Sequence, residues 1–148
     1  MVWAGINIDA RIDVLFINGG SLTADWYITE ILEDHLVAFA PFIQDNFLLL
    51  LDNTHPQVAG CVTKYLGEVG IQRMVWPARS PDINPIELVW DMLGRSVRIH
   101  FCENLGDLQA ALQYEWERLP QKDIATLIRS VPTRCAAVIR ARGGNTRY

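Results

Sequence analysis

Two carboxylates carry the most specific chemistry in this sequence. Asp52 ends the apolar run Phe47 to Leu51, and Glu87 lies in the string Asn84-Pro85-Ile86-Glu87, with 34 residues between the two acids. A carboxylate at a strand end and another in the first turn of a helix can converge on one point above a sheet. That arrangement suits a hard divalent cation, because Mg²⁺ takes a few carboxylate oxygens and keeps the rest of its shell for water and phosphate. Two such ions ~3.5–4 Å apart can activate an attacking oxygen and stabilise a leaving one, which is the apparatus for in-line displacement at a phosphodiester. Each acid also has a purely structural explanation. Asp52-Asn53 after a strand can serve as a turn or cap the next helix. Asn84 at the N-cap, Pro85 at N1 and Glu87 at N3 match a helix start in which Glu87 reaches back to the Asn84 N–H. Asp91, one turn beyond Glu87 on the same face, reads as a supporting or solvated acid.

The elements that must hold these acids follow from periodicity. Met1 to Ile8 and Ile12 to Ile17 are β-branched and aromatic runs separated by Asp9, Ala10 and Arg11, the pattern of a hairpin closed at Asn18-Gly19-Gly20. Thr23 caps a helix to about Phe39 whose apolar face is Trp26, Ile28, Ile31, Leu32, Leu36 and Phe39. Phe47 to Leu51 has no polar face and predicts a strand buried on both sides, with Asp52 at its carboxyl end, where open α/β sheets place their working sites. A helix from about Pro56 to Val69 closed by Gly70, a strand Ile71 to Trp76, and helices over Pro85 to Arg98, Asn104 to Arg118 and Lys122 to Arg142 complete the order. The sum is an α/β chain with mixed strand directions, in one folded unit.

Half the residues are apolar, enough for a sizeable core, and no apolar run reaches the ~20 residues of a membrane span. Cys61, Cys102 and Cys135 lack any C-x-x-C pairing, and His35, His55 and His100 are scattered, so neither a disulfide framework nor a zinc site is expected. The net charge of −4 argues against nucleic acid until its distribution is considered. From Ile124 onward Arg129, Arg134, Arg140, Arg142 and Arg147 meet no acid. Such a tail is either a solvated helix face or a phosphate-binding surface. Trp76 and Trp90, among apolar neighbours, read as core residues and not as stacking platforms for bases.

Three segments resemble the transposases of the mariner superfamily: Leu51-Asp52-Asn53-Thr54-His55-Pro56, the string from Trp76 to Asp91 (W-P-A-R-S-P-D-I-N-P-I-E-L-V-W-D), and Ala141 to Tyr148. The 34-residue interval is one that the second and third catalytic carboxylates of that family often show. The resemblance implies a ribonuclease H-like fold, a mixed sheet flanked by helices, over residues 1–148 as one partial catalytic domain. It is expected to lack the first central strand and to carry a helical C-terminal extension from about residue 104. Asp52 and Glu87 would be the second and third acids of the triad, holding Mg²⁺ or Mn²⁺, two ions in the intact site. The first acid is expected outside this chain, since Asp9 and Asp13 lie on the hairpin. The implied activity is metal-dependent DNA strand cleavage and transfer, weak or absent in this chain alone. The implied partner is DNA, as transposon ends and target, in the nucleus, with no membrane; a homodimer is compatible with it. Asn53, Arg79, Arg140, Arg142 and Arg147 are the candidates for contact with DNA. The family commonly has Gln before the second acid and His five residues after it; Leu51 and Gln57 stand there, removing an ionisable group. The rival reading is a non-catalytic, transposon-derived module that associates with DNA or protein.

Overall fold

Asn7 and Ala10 close the first turn of the chain, the Asn7 N–H donating to the Ala10 carbonyl at 2.8 Å while the Asn7 side chain accepts from the Asp9 N–H. Behind that turn β1 (Val2–Trp3) pairs antiparallel with β2 (Leu15–Phe16), Val2 opposite Phe16 and Trp3 opposite Leu15. Nearer the turn Ile6 faces Arg11, so two residues on the first strand oppose three on the second. The second strand therefore carries a bulge. Ile12 and Val14, two apart on that strand, are buried while Asp13 between them is exposed, the ordinary alternation of a strand.

The computed structural model describes residues 1–19, 22–42, 47–52, 54, 56–77 and 80–144. They form two compact units, one of Met1 and Ile17–Arg79 and the other of Val2–Phe16 and Ser80–Tyr148.

In the first unit the Thr23 hydroxyl accepts from the Trp26 N–H at 3.2 Å and starts α1 (Ala24–Trp26), which runs on as a π-helical segment (Tyr27–Val37). The buried residues are Tyr27, Ile31, Leu32 and Leu36, so two turns take nine residues where an α-helix takes about seven. The wider period corrects the expected face: Trp26 is exposed and Ile28 half-buried, and Tyr27 takes their place inside. A short 3₁₀ turn follows (Ala40–Phe42). Next, β3 (Leu48–Leu49) runs parallel to β4 (Gln72–Arg73), and the ladder continues where the Met74 N–H donates to the Leu49 carbonyl at 2.8 Å. Leu48 is 51% exposed, so the strand is not buried on both faces as its composition predicts; the buried member of the run is Leu51. Between these strands lies α2 (Gly60–Glu68). Gly70, at φ +75°, lets the Ile71 N–H turn back to the Leu66 carbonyl at 2.9 Å and the Gly70 N–H to that of Gly67, satisfying carbonyls the helix leaves open. Tyr65 on α2 donates to Glu33; burial, and then the Glu33 charge, raise the phenol's pKa above its ordinary value.

The second unit is built on α3 (Pro85–Val97), α4 (Leu105–Arg118), α5 (Gln121–Arg129) and α6 (Val131–Arg140). Val89 and Leu93 from α3, Trp116 from α4, Ile124 from α5, and Ala4 and Val14 from the hairpin form its core. Trp90 lies stacked on Trp116, ring centroids 5.8 Å apart, as expected of a core residue. Arg11 clamps the hairpin to this core: its guanidinium donates to the Leu119 and Glu117 carbonyls at the end of α4 and lies 5.5 Å from the Trp116 ring centroid. A cation at a helix C-terminus is favoured by the helix dipole, and one over an indole by the ring quadrupole. The Gln121 amide adds hydrogen bonds to the Asn7, Ile8 and Ala10 carbonyls. The single helix expected from Lys122 to Arg142 is two, because Pro132 has no N–H to give and its ring crowds the preceding turn.

Candidate active site

Asp52 lies in the first unit, exposed, three residues beyond β3. Its Oδ1 accepts from the Thr54 N–H at 3.0 Å, an Asx turn that aims the chain toward α2. The Thr54 carbonyl then accepts from the Gln57 N–H at 3.0 Å and the Val58 N–H at 3.2 Å, so the helix expected from Pro56 begins as turns and reaches regular α geometry only at Gly60. Gln57 is buried, and its Oε1 has no hydrogen-bond partner among the described residues. Asn53 and His55 lie outside the described residues.

Glu87 lies in the second unit, half-buried in the first turn of α3. The path into that turn is tightly specified. Pro81–Ile83 makes a single 3₁₀ turn, Ile83 and Asn84 are buried, and the Asn84 side chain accepts from the Ile86 N–H at 3.4 Å. Pro85 occupies N1, where its missing N–H costs nothing. The Asn84 N–H, which the capping-box explanation assigns to Glu87, donates to the Pro81 carbonyl at 3.0 Å. Asp91 pairs with Arg95 one turn further along, both exposed, so its charge is engaged on the helix surface.

The Arg-rich tail divides in two. Arg140 and Arg142 are exposed, whereas Arg79 and Arg147 lie outside the described residues. Arg142 sits at φ +51°, in the left-handed position that ends α6: its N–H donates to the Ile139 carbonyl at 3.0 Å and the Gly143 N–H to that of Val138 at 3.0 Å. Helices commonly place glycine there. Arg134, by contrast, is buried at 3% exposure. Its Nε donates to the Ser130 hydroxyl at 3.0 Å, and its terminal nitrogens donate to the Asp82 carbonyl at 2.7 Å and the Leu127 carbonyl at 3.3 Å. Burial draws its pKa below the ordinary arginine value, with Cys135 and Asp82 acting in the opposite sense. Counting charge along the sequence gave no sign of this, since it treats every arginine of the tail alike. Among the described residues no group of three or more His, Cys, Asp or Glu side chains could hold a metal ion, and no helix is long and apolar enough to cross a membrane.

The chain is 33% identical over 128 residues to the transposase of transposable element Tcb1 of Caenorhabditis briggsae, covering 85% of this chain and 47% of that protein. It is 33% identical over 103 residues to the Tc1 transposase of Caenorhabditis elegans, covering 70% and 38%. The chain belongs to the Tc1/mariner family of transposases. No protein-family model matches it. Similarity to the Tc3 transposase of Caenorhabditis elegans spans the whole chain, at 27% identity, and 45% of that protein. The chain thus spans about half the length of the curated relatives it matches. The crystal structure of the Mos1 mariner transposase catalytic domain superimposes with a TM-score of 0.84 at 17% sequence identity, over 99% of this chain and 74% of that one. The Mos1 strand transfer complex gives 0.78 at 16%, over 95% and 42%. The α/β fold is therefore that of a Tc1/mariner catalytic domain, of the ribonuclease H-like type.

Proposed function

We propose that residues 1–148 act as one transposase catalytic domain that cuts and joins DNA strands with a divalent metal. The observation that carries this reading is the pair of acids: Asp52 just after β3 and Glu87 in the first turn of α3, with 34 residues between them in a chain with the family's catalytic fold. Both offer hard carboxylate oxygens. Asp52 is exposed, forms no ion pair among the described residues, and uses one oxygen in its turn, so the other is available to a hard cation. Mos1 catalytic-domain structures with Mn and with Mg share the fold, which supports the same class of metal here. Asp52 and Glu87 would hold it. When bound, two such ions supply activation of the attacking oxygen and stabilisation of the leaving one.

The fold's first central strand, with the first acid of the triad, is proposed to come from outside these residues, and α4 to α6 to form the helical C-terminal extension. Two carboxylates hold two ions less firmly than three, so this chain alone would be weak or inactive. Mos1 structures described as a strand transfer complex and as a paired-end complex with the left transposon end support DNA as the partner; the nucleus as its place of action and a second copy as a further partner are proposed with it. Arg140 and Arg142 are exposed cations suited to phosphate, and Asn53, Arg79 and Arg147 are proposed with them.

Incubating the chain with supercoiled duplex DNA and Mg²⁺ tests the reading. Slow nicking is expected, lost in Asp52→Asn and in Glu87→Gln. Nicking that survives Asp52→Asn overturns the metal site, and DNA binding without nicking and without any Mn²⁺ binding at Asp52 or Glu87 favours the non-catalytic module.

A further inference from the structure

Arg134 is a buried cation whose three observed acceptors are all uncharged: the Ser130 hydroxyl and the Leu127 and Asp82 carbonyls. Taking a guanidinium out of water with no carboxylate among its observed acceptors is costly, and the hydrogen bonds, with the nearby Asp82 charge, must offset that cost. Its position suggests what is gained. Leu127 and Ser130 belong to the end of α5 and the break before α6, and the Ser130 hydroxyl is itself fixed by donating to the Leu127 carbonyl at 2.7 Å. Asp82 lies in the middle of the Pro81–Ile83 turn. The planar fork therefore ties the α5–α6 corner to the one turn that feeds Asn84, Pro85 and the start of α3.

Burial of Ile83 holds the apolar side of that turn, and Arg134 holds its backbone at Asp82. The turn's Asp82 side chain is exposed, and its closing bond runs from the Asn84 N–H to the Pro81 carbonyl. Moving the Asp82 carbonyl would move Asn84, whose side chain caps α3, and with it the turn that carries Glu87. We propose that Arg134 is a positioning residue: through the Asp82 carbonyl it sets the place and direction from which α3 begins, and so the position of the Glu87 carboxylate. The inference rests on Glu87 being a metal ligand. Lysine cannot replace it, because a single ammonium on a flexible stem cannot reproduce a planar fork with three acceptors in fixed directions.

Mn²⁺ titration of the ¹⁵N-labelled chain, following paramagnetic broadening of the Ile86 to Val89 amides, tests both layers. In the unaltered protein these amides should broaden, and Glu87→Gln should abolish the effect. Arg134→Lys should raise the Mn²⁺ midpoint at least threefold, and Ser130→Ala, a milder change that keeps the guanidinium, should raise it by a smaller factor. Val89→Ala, which weakens the core of the same helix without touching the turn, should leave the midpoint in place. If Arg134→Lys fails to fold, Ser130→Ala carries the comparison. A midpoint unmoved by the arginine and serine changes, or moved equally by Val89→Ala, overturns the positioning role and leaves Glu87 as a ligand. Broadening that persists in Glu87→Gln, or is absent from the unaltered protein, overturns the ligand assignment and the positioning role with it.

Discussion

Arg142 is the residue at which stability and the proposed DNA contact should separate. An L-residue in the left-handed region costs roughly 1–2 kcal/mol, whereas glycine adopts it without that penalty. Glycine also gains freedom in the unfolded chain, which returns about 0.4–1 kcal/mol. Arg142→Gly and Arg142→Ala remove the same charge, so any effect of the helix dipole cancels between them, and only the backbone difference remains. Glycine should then be the better residue by about 1 kcal/mol. The end of a helix can fray without global unfolding, so the suitable assay is amide exchange at Gly143, whose N–H is held by the Val138 carbonyl. That amide should exchange about fivefold more slowly in Arg142→Gly than in Arg142→Ala, the ratio that ~1 kcal/mol implies. Binding should behave otherwise. If the side chain meets one phosphate, both variants lose affinity alike, and the slope of log K against log salt becomes shallower by about 0.9. Equal or faster exchange in the glycine variant would refute the backbone argument, and an unchanged salt slope in both would remove Arg142 from the DNA surface.

Arg11→Ala removes two charge-assisted hydrogen bonds to the end of α4 and a cation over Trp116, and should cost about 2–3 kcal/mol in urea denaturation, with Arg11→Lys recovering less than half. Leu93→Ala empties a buried position between α3 and its neighbours and should cost about 2–4 kcal/mol by the same measurement. Tyr65 has a raised pKa in the folded protein, so its neutral form contributes stability that is complete below the ordinary phenol value of 10.0 and is lost as pH climbs through the raised value. The stability of Tyr65→Phe should consequently fall less steeply above about pH 10 than that of the unaltered chain, as thermal melts across that range would report.

What could be read from the sequence was what local chemistry dictates. Asn84-Pro85 can start a helix and do little else, and Gly70 can end one at positive φ, so α3 and the close of α2 lie where composition puts them. The Asx turn at Asp52 was likewise a local property of Asp followed by polar residues. Expectations failed where a residue's neighbours come from far along the chain. A 3.6-residue period chose Trp26 and Ile28 for the core, but the π-helical segment turns Tyr27 inward. Apolar character could not tell that Leu48 stays exposed while Leu51 is buried. The break at Ser130 was hidden because Pro132 is tolerated in the first turn of a new helix as readily as it ends an old one. Arg134 was invisible for a related reason: its acceptors are backbone carbonyls, which leave no mark on side-chain patterns. For the candidate site, the two acids were legible from spacing and from the surrounding string, while the support beneath one of them was not.

The clamp made by Arg11 and Gln121 has a temporal side. The hairpin tip finds its acceptors and donors more than a hundred residues further along, Arg11 at Leu119 and Gln121 at Asn7, Ile8 and Ala10. At the usual ~5–20 residues per second of synthesis, the hairpin waits roughly 5–20 s after it is made before α4 and α5 exist to receive it. A lone two-stranded hairpin is marginal in water. During that interval Ala4 and Val14, later sealed under Trp116, would face solvent or a chaperone. Helices α4 and α5 are thus the ones that complete the hairpin of β1 and β2.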